Sequence, residues 1–390
     1  MIANPCLEGI WSVRVNTLLP PQPTPQTPSE GLFNDPAARK AYWLPDPPGA
    51  AFPNLQEFWE DMCAEVTVYR RCRRIPGPWK PFVGGMSLRS ESERTPDPAR
   101  IVQTSRQSRS PNWSGAAVSA CDGGTLTQVV GRWVEPAVER AGAHSTGDEF
   151  RSSIWVGFNG HAAYRDAALP QIGTLQRIVH DSAAGWTTSH WVWLEWWVNV
   201  RDAEPDSWML PIYIDLDVAA GDTVWCRVDL IPGDPVNYPK DAGYPCVARM
   251  SVCVGRPASD AAPASKVLVM PFIVYPPELS LVGPIQVKGS KANWIAELPT
   301  NICDGPAFLL PRFGPAAVPE PKVTFTHCVA ASASDPGAPL LAEHTLGVSR
   351  RFHMFNNQPS GEASLARIAT SLSPRISDTA FSIQVEGNDA

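Results

Sequence analysis

Short motifs that mark the common enzyme classes are missing from this chain of 390 residues. It contains no H-E-x-x-H, no G-x-S-x-G, no P-loop and no D-T-G or D-S-G triplet. Its seven histidines are scattered, and His161 is expected to be a loop residue rather than a catalyst. These absences exclude the usual zinc peptidases, serine hydrolases, P-loop enzymes and aspartic peptidases.

Metal-ligand spacing is absent from the sequence as well. Nine cysteines are present, but none form C-x-x-C and no cluster of histidine and cysteine has the spacing of zinc ligands. We therefore expect neither a metal nor a cofactor. Cys246 and Cys253 are compatible with a disulfide in an exported protein, although spacing does not decide any pairing.

Long hydrophobic runs are also lacking. The best one, VLVMPFIVY from Val267, has about half of the ~20 residues that a spanning helix needs, and it contains Pro271. No membrane partner is expected. The first residues lack the basic and then apolar pattern of a signal peptide, which leaves three alternatives open: a different start, another export route, or no export.

Positive charge is scarce in the larger part of the chain. Residues 111–390 hold 19 Lys and Arg against 28 Asp and Glu, whereas residues 1–110 hold 13 against 11. Because phosphate binding needs clustered cations, no nucleic-acid partner is expected. The more basic first segment is expected to dock on the acidic remainder and to be released when acid neutralises the carboxylates.

Proline is abundant at the start, where the first 110 residues hold 16 of the 41 prolines. One amphipathic helix is predicted there, with Asn54 and Glu57 as its cap pair. Its apolar face is formed by Leu55, Phe58, Trp59, Met62, Val66 and Tyr69. Residues 86–110 are polar and indicate an exposed linker, so residues 1–110 are predicted to be a pro-segment with a linker, followed by one domain at 111–390.

Short alternating runs fill the second part of the chain. TVWCRVDL places Val224, Cys226 and Val228 on one face, and AAGDT before it is a turn signal. Many such runs with almost no helical periodicity predict an all-β fold, a two-sheet antiparallel β-sandwich of the concanavalin or jelly-roll kind.

One strand, HWVWLEWWVNV, is unusually rich in tryptophan. Alternation places Val192, Leu194 and Trp196 on a face that is typical of core. The opposite face sets Glu195 among tryptophans such as Trp193, which indicates either a packed sheet face or the floor of a ligand groove.

Six segments in order resemble the glutamic peptidases, or eqolisins, which are acid endopeptidases built on two antiparallel sheets. SPNWSGAAV from residue 110 resembles the opening N-W-(G/A/S)-G-A strand of the family, and SIWVGFNG from residue 153 resembles W-V-G-x-D-G. LPQIGTLQ from residue 169 is similar to L-x-Q-x-G, and WVWLEWW from residue 191 to W-Y-E-W. AAGDTV and ANWIAELP, from residues 219 and 292, resemble the later G-D turn and A-E-W-I-V-E-x-P.

The resemblance implies a catalytic pair at Gln171 and Glu297. Glu297 would be general base and then acid on the attacking water, since a carboxyl with a reference pKa of ~4.3 suits this work in acid. The amide of Gln171 would donate a hydrogen bond to the tetrahedral intermediate, and it does not titrate. Five substrate-binding residues are expected, namely Trp113, Trp155, Asn159, Trp193 and Glu195. The resemblance also implies polypeptide substrates, secretion and a monomer.

Three positions depart from the family pattern. Asn159 and Asn293 replace an aspartate and a glutamate, and the first change puts the pH optimum in question. Pro170 lacks a ladder N–H, which predicts that Gln171 lies at a strand edge or bend.

Other classes of function stay open at this stage. The same sandwich with a tryptophan-lined groove would serve a carbohydrate-binding module or lectin. Glu195 and Glu297 would serve as a glycosidase pair if their carboxyl groups were about 5–10 Å apart. An inactive peptidase homologue is the third alternative.

Overall fold

The structure of the protein is a computed structural model, and it describes the greater part of the chain. The described residues are 17–18, 35–70, 72, 74–75, 107–110, 112–120, 124–140, 145–159, 166–200, 211–233, 246–274, 278–279, 283–284, 287–299, 308–314, 322–356, 367–368, 370–372 and 376–385. Residues 86–106 of the predicted linker, His161 and the cysteines at 6, 121 and 303 lie outside them.

Strands dominate the described residues. The helices are α1 (Pro36–Ala41), α2 (Pro53–Cys63) and a 3-10 turn at Leu346–Val348. The strands are β1 (Thr17–Leu18), β2 (Val68–Arg70), β3 (Arg74–Ile75), β4 (Gln107–Ser110), β5 (Trp113–Val118), β6 (Thr125–Val134), β7 (Val138–Glu139), β8 (Glu149–Phe158), β9 (Asp166–Asp181), β10 (Gly185–Val200), β11 (Ile212–Ile214), β12 (Thr223–Ile231), β13 (Val247–Arg256), β14 (Ser265–Val269), β15 (Phe272–Val274), β16 (Glu278–Leu279), β17 (Gly283–Pro284), β18 (Ala292–Glu297), β19 (Arg312–Phe313), β20 (Lys322–Ala333), β21 (Leu340–His344), β22 (Arg350–Asn356), β23 (Arg367–Ile368), β24 (Thr370–Leu372) and β25 (Phe381–Val385).

Two large sheets form the sandwich. One has eleven strands in the order β1-β15-β13-β12-β6-β20-β25-β24, with β14 beside β13, β2 beside β14 and β21 beside β20. The other has ten strands in the order β23-β22-β5-β18-β8-β9-β10-β11-β3, with β4 beside β22. Within the described residues, strands pair antiparallel except for β2 with β14 and β4 with β22. The predicted all-β sandwich is confirmed.

The main core lies between these two sheets, and it follows the alternation of the sequence. Val224, Cys226 and Val228 of β12 are fully buried there, as are Leu194 and Trp196 of β10. Burial of large apolar side chains on the facing sides of two sheets is the dominant force that holds such a sandwich together.

The predicted amphipathic helix packs on the outer face of the eleven-stranded sheet. Its side chains Leu55, Phe58, Trp59 and Met62 are buried against β6, β12, β13, β14 and β20. The helix is shorter than expected, because it ends at Cys63 and Tyr69 already belongs to β2. The predicted cap pair is wrong as well. Phe52 is the N-cap residue, and the carboxylate of Glu343 accepts from the Leu55 N–H at 2.8 Å.

Strands from the first 110 residues join both sheets. β2 pairs with β14 in the eleven-stranded sheet, β3 adds to the ten-stranded sheet beside β11, and β4 adds to it beside β22. This part of the chain therefore contributes backbone hydrogen bonds to the sandwich. The domain boundary near residue 110 stays a prediction.

The described cysteines are all free thiols. This includes Cys246 and Cys253, so the disulfide that the sequence allowed between them is not present. Burial raises the pKa of both thiols to about 12. No described helix combines the length and the apolar character needed to cross a bilayer.

Candidate active site

The ten-stranded sheet carries a second set of buried side chains on the face turned away from the core. We call this the tryptophan face. It is formed by Trp113, Ala117, Trp155, Leu169, Leu175, Trp193, Trp197, Tyr213, Ile295 and Phe352. Because successive side chains of a strand alternate between faces, Gln171, Glu195 and Glu297 lie on the same face. Seven strands thus bring residues from 113 to 352 onto one surface.

Glu297 lies at the end of β18, opposite Ser153 of β8 and Trp113 of β5. Its carboxylate is fully buried, and two of the described side chains donate hydrogen bonds to it. The indole Nε1–H of Trp155 donates to Oε2 at 2.7 Å, and the Asn112 amide donates to Oε1 at 3.3 Å. Both donors favour the ionised carboxylate, because hydrogen bonds to the charged form stabilise it.

Gln171 lies in the middle of β9, and Glu195 is the residue directly opposite it in β10. The side-chain amide Nε2 of Gln171 donates to Glu195 Oε2 at 2.7 Å, and both side chains are fully buried. An ionised carboxylate only accepts hydrogen bonds, so Glu195 selects the orientation of the Gln171 amide with Nε2 toward it.

Two glycines leave room for these side chains. A Cβ added to Gly157 would come within 2.6 Å of the Pro170 carbonyl oxygen and 2.8 Å of Gln171 Cβ. A Cβ at Gly173 would come within 2.7 Å of the Cβ of Trp155. The absence of side chains here lets Gln171 and Trp155 approach the backbone of the neighbouring strand.

The two expected catalytic residues are on strands separated only by β8, which lies between β18 and β9. Glu297 lies opposite Ser153 of β8 and Gln171 lies opposite Gly157, so the two are offset by four residues, or about 13 Å, along that strand. Trp155 lies between these two positions, bonds Glu297 and pairs with Gly173. The rings of Trp155 and Trp113 meet edge to face with centroids 4.9 Å apart, and Trp193 lies across from Gly173 on the other side. Trp113, Trp155, Trp193 and Glu195 are therefore neighbours of the pair.

Asn159 is placed differently from the other expected residues. Its side-chain oxygen accepts from the backbone N–H and the hydroxyl of Ser290, each at 3.0 Å, and from the backbone N–H of Lys291 at 3.3 Å. Its backbone has φ of 58°, which is a strained region for a residue other than glycine or asparagine. The side chain thus fixes the turn before β18. Contact of Asn159 with substrate stays a prediction.

Pro170 predicted a strand edge or a bend at Gln171, and the structure does not place Gln171 at an edge of the sheet. β9 is a central strand, and its pairing with β10 runs without interruption past Pro170. Its pairing with β8, however, ends at Gly157 and Gln171. Pro170 is tolerated because it lies just beyond the last described pair of the β8–β9 ladder, where its missing N–H costs no hydrogen bond.

A cluster of charges on the tryptophan face was missed by the sequence interpretation. Glu149 Oε1 accepts from Arg151 Nε at 2.6 Å and from Arg177 Nε at 2.7 Å. Burial alone would raise the pKa of Glu149, but the two guanidinium groups outweigh this and hold the pKa below its usual value. Alternation along β8 places Arg151 on the face of Trp155, and this spacing is the signal that was overlooked.

A second glutamine and glutamate pair faces the core and is formed by Gln176 of β9 and by Glu135, which follows β6. Gln176 Nε2 donates to Glu135 Oε1 at 2.6 Å, and this carboxylate also accepts from Thr174 and meets His190 Nδ1 at 2.7 Å. The pair resembles that of Gln171 and Glu195 in its bonding, but it lies between the two sheets. It was also not foreseen, because nothing in the sequence distinguishes it.

The site is closed on its described sides. Gln171, Glu195, Glu297, Trp113, Trp155 and Trp193 are all 0% exposed. The strands β3 and β4 of the first 110 residues extend the ten-stranded sheet beyond β11 and β22. Solvent does not reach these six side chains in the structure.

Comparison with known proteins agrees with this geometry. Residues 111–232 match the model of the Peptidase A4 family, which is the family of glutamic peptidases. The match covers Trp113, Trp155, Gln171 and Glu195, and it ends before Glu297. No curated protein sequence matches the chain. The resemblance to glutamic peptidases is confirmed, and it supports a hydrolase of the peptidase class.

Proposed function

We propose that this chain, whose residues 111–232 match the glutamic peptidase family, is an acid endopeptidase that hydrolyses polypeptides with Gln171 and Glu297. The observation that carries the proposal is the buried carboxylate of Glu297, held by the Trp155 indole on the same sheet face as an oriented Gln171 amide. No metal or cofactor takes part in it.

Glu297 would act on water. An ionised carboxylate accepts a proton from a water molecule as the water attacks the peptide carbonyl, and it returns that proton to the leaving amine. The donors Trp155 and Asn112 hold the carboxylate in one position and favour its ionised form at low pH. Histidine would be protonated in the same conditions and would not act as a base.

Gln171 would stabilise the negative oxygen of the tetrahedral intermediate. Its amide nitrogen carries two N–H groups, and one of them binds Glu195. The other is the proposed donor to the intermediate, a role that is worth about 3–4 kcal/mol in other peptidases. Glu195 would then be a positioning residue, because it fixes which end of the amide faces the substrate. The tryptophans around the pair would bind the substrate chain.

Residues 1–110 are proposed to act as a pro-segment. Two observations support this: the proposed catalytic side chains are fully buried, and β3 and β4 lie at both ends of their sheet. Since α2 and β2 pack into the other sheet, deletion of the whole segment would expose a buried apolar surface. A cut within residues 86–106 is therefore the better test of activation. We also propose that the protein is secreted and is a monomer.

The test measures cleavage of a denatured protein substrate between pH 2 and pH 7 with an aspartic-peptidase inhibitor present. Wild type, Gln171→Ala and Glu297→Gln are compared, each intact and after cleavage at a specific protease site inserted near residue 92. Gln176→Ala is the matched control, because Gln176 is equally buried and bonds a glutamate in the same way, but on the core side. We expect acidic, inhibitor-resistant cleavage that both active-site variants lose and Gln176→Ala keeps.

The other classes predict different results. A carbohydrate-binding module would bind glycans and cleave no polypeptide at any pH. A glycosidase that uses Glu195 and Glu297 would hydrolyse glycosides and would tolerate Gln171→Ala. An inactive homologue would do neither, in the intact or the cut form, and this outcome would overturn the proposal.

A further inference from the structure

Two arginines and a glutamate form a charge cluster on the tryptophan face beside Glu297. Arg151 and Arg177 share one oxygen of Glu149, so these three groups together hold one net positive charge. Arg151 is completely buried, and its guanidinium lies 4.2 Å from the ring centroid of Phe308. A guanidinium in such surroundings is a strong site for a second carboxylate, because charged hydrogen bonds strengthen where water is excluded.

Two buried hydroxyl groups border this cluster. Ser153 is 0% exposed and Tyr213 is 5% exposed, and neither hydroxyl oxygen has a hydrogen-bond partner in the described part of the chain. The phenol of Tyr213 is close enough to interact electrostatically with Arg151, Arg177 and Glu195. Buried hydroxyl groups are nearly always hydrogen-bonded in folded proteins, so these two indicate a polar ligand on this face.

The cluster is close to Glu297, one of the two proposed catalytic residues. Ser153 lies directly opposite Glu297, and Arg151 is two residues further along β8, which is about 7 Å in a strand. An extended peptide advances about 3.4 Å per residue. A substrate carboxylate bound at Arg151 would therefore belong to a residue within about two positions of the scissile bond.

We propose that Arg151, Arg177 and Tyr213 form a subsite for an acidic side chain of the substrate, so that the protein prefers a glutamate or aspartate at one position near the cleaved bond. This inference rests on the proposed function. In the subsite, the two arginines donate to the carboxylate, and the Tyr213 hydroxyl donates a further hydrogen bond. The C-terminal carboxylate of a peptide has the same chemistry, and the test distinguishes it from the carboxylate of a side chain.

The test uses the full chain, intact and cut near residue 92, and a series of fluorescent decapeptides with amidated C-termini. Each carries one glutamate at a different position and has a twin with glutamine there. Binding is measured at pH 5.5 in the Glu297→Gln background, and cleavage is measured with the same peptides and active protein. We expect one position at which glutamate binds roughly 10-fold more tightly than glutamine. The same peptides are also tested with free C-termini. If the difference between glutamate and glutamine is then lost, the cluster binds a terminal carboxylate instead, and the proposal is overturned.

Variants separate the subsite from general effects on folding. Arg177→Gln leaves the cluster without net charge and is expected to abolish the preference, while Tyr213→Phe removes only the hydroxyl and reduces it. Arg249→Gln is the matched control, because Arg249 is equally exposed, at 18%, and bonds Asp229 on the other sheet. A preference that persists in Arg177→Gln overturns the subsite.

The two proposals fail in different ways. A glutamate preference in binding without any cleavage keeps the subsite and overturns the peptidase. Cleavage with equal use of glutamate and glutamine keeps the peptidase and overturns the subsite. Absence of both binding and cleavage, in the intact and the cut protein, overturns both.

Discussion

Gln171 and Glu195 stand opposite each other in the β9–β10 hairpin, and the amide of the first donates a hydrogen bond of 2.7 Å to the carboxylate of the second. Both are fully buried. A glutamine amide has two ends of similar shape, and a partner that only accepts hydrogen bonds holds the nitrogen end toward itself. The catalytic role proposed for Gln171 therefore depends on a second residue that never needs to touch the reacting atoms.

The first prediction concerns this pair. In Glu195→Gln the new amide can donate or accept, so the Gln171 amide is no longer held in one orientation. We expect kcat to fall by about 10-fold, with KM nearly unchanged, because the donor acts mainly in the transition state. Glu135→Gln, which alters the similar pair on the core side, should leave kcat of the folded protein unchanged. A change in KM with kcat unchanged would contradict the positioning role.

The second prediction concerns the indole that binds Glu297. Trp155→Phe removes the N–H that donates to Glu297 Oε2, so the ionised carboxylate is less stabilised. We expect the acidic limb of the plot of kcat/KM against pH to move to higher pH. Trp294→Phe on the same strand as Glu297 is the control, because it loses an N–H bond to the Val130 carbonyl in the core. It should lower stability and leave the pH profile in place.

The third prediction concerns the space beside Gln171. Gly157→Ala would force a Cβ against the Pro170 carbonyl oxygen at 2.6 Å, so β8 and β9 must separate locally. We expect a loss of roughly 1–3 kcal/mol in the free energy of unfolding, together with reduced activity. Gly49→Ala, where the added Cβ meets nothing within 4 Å, should change neither quantity. Chemical denaturation and peptide cleavage measure the two effects.

The fourth prediction concerns pH and the charge cluster. The folded state holds the pKa of Glu149 below its usual value, so this carboxylate contributes stability above its unfolded pKa. That contribution is lost as pH falls through the lowered pKa. We expect Glu149→Gln to cost about 3 kcal/mol near pH 6, because it leaves two arginines without their shared carboxylate. The difference from wild type should shrink as pH is lowered below 4, and a constant difference in urea titrations would contradict it.

The fifth prediction concerns the docking of α2. Glu343 of β21 accepts hydrogen bonds from the Asn54 side chain at 2.7 Å and from the Leu55 N–H at 2.8 Å. It therefore caps the N-terminus of α2. Glu343→Ala is expected to cost about 1 kcal/mol, as the loss of a helix cap does. The melting temperature should fall by a degree or two, and cleavage activity should be unaffected. An unchanged melting temperature would show that the cap contributes nothing.

The register of the hairpin explains why the partner of Gln171 was not predicted. Asp181 and Gly185 close the turn, where the Asp181 carboxylate accepts from the N–H groups of Ala183 and Ala184. Once this turn is known, counting outward pairs residue 171 with residue 195. Alternation had placed Glu195 among tryptophans, but it did not say which residue of which strand lies beside it. The position of the turn sets the register, and the register pairs Gln171 with Glu195.

Residues far apart in the chain were harder still. The bond between Trp155 and Glu297 joins two strands that are separated by more than a hundred residues, and α2 is capped by a residue near the other end of the chain. Local patterns carry no signal for such contacts. The contact of the Asn159 side chain with the turn at Ser290 is of the same kind, because it joins two segments that are far apart in the sequence.

By itself, the sequence determined the fold class and the faces of the strands, since a period of two fixes which side chains share a side of a sheet. It also determined which amphipathic helix needs a partner surface, because a helix with one apolar face must bury it. Only the tertiary structure decided which side chains on a face are neighbours. Strand order and register set those neighbours, and both depend on contacts between distant segments that no local pattern records.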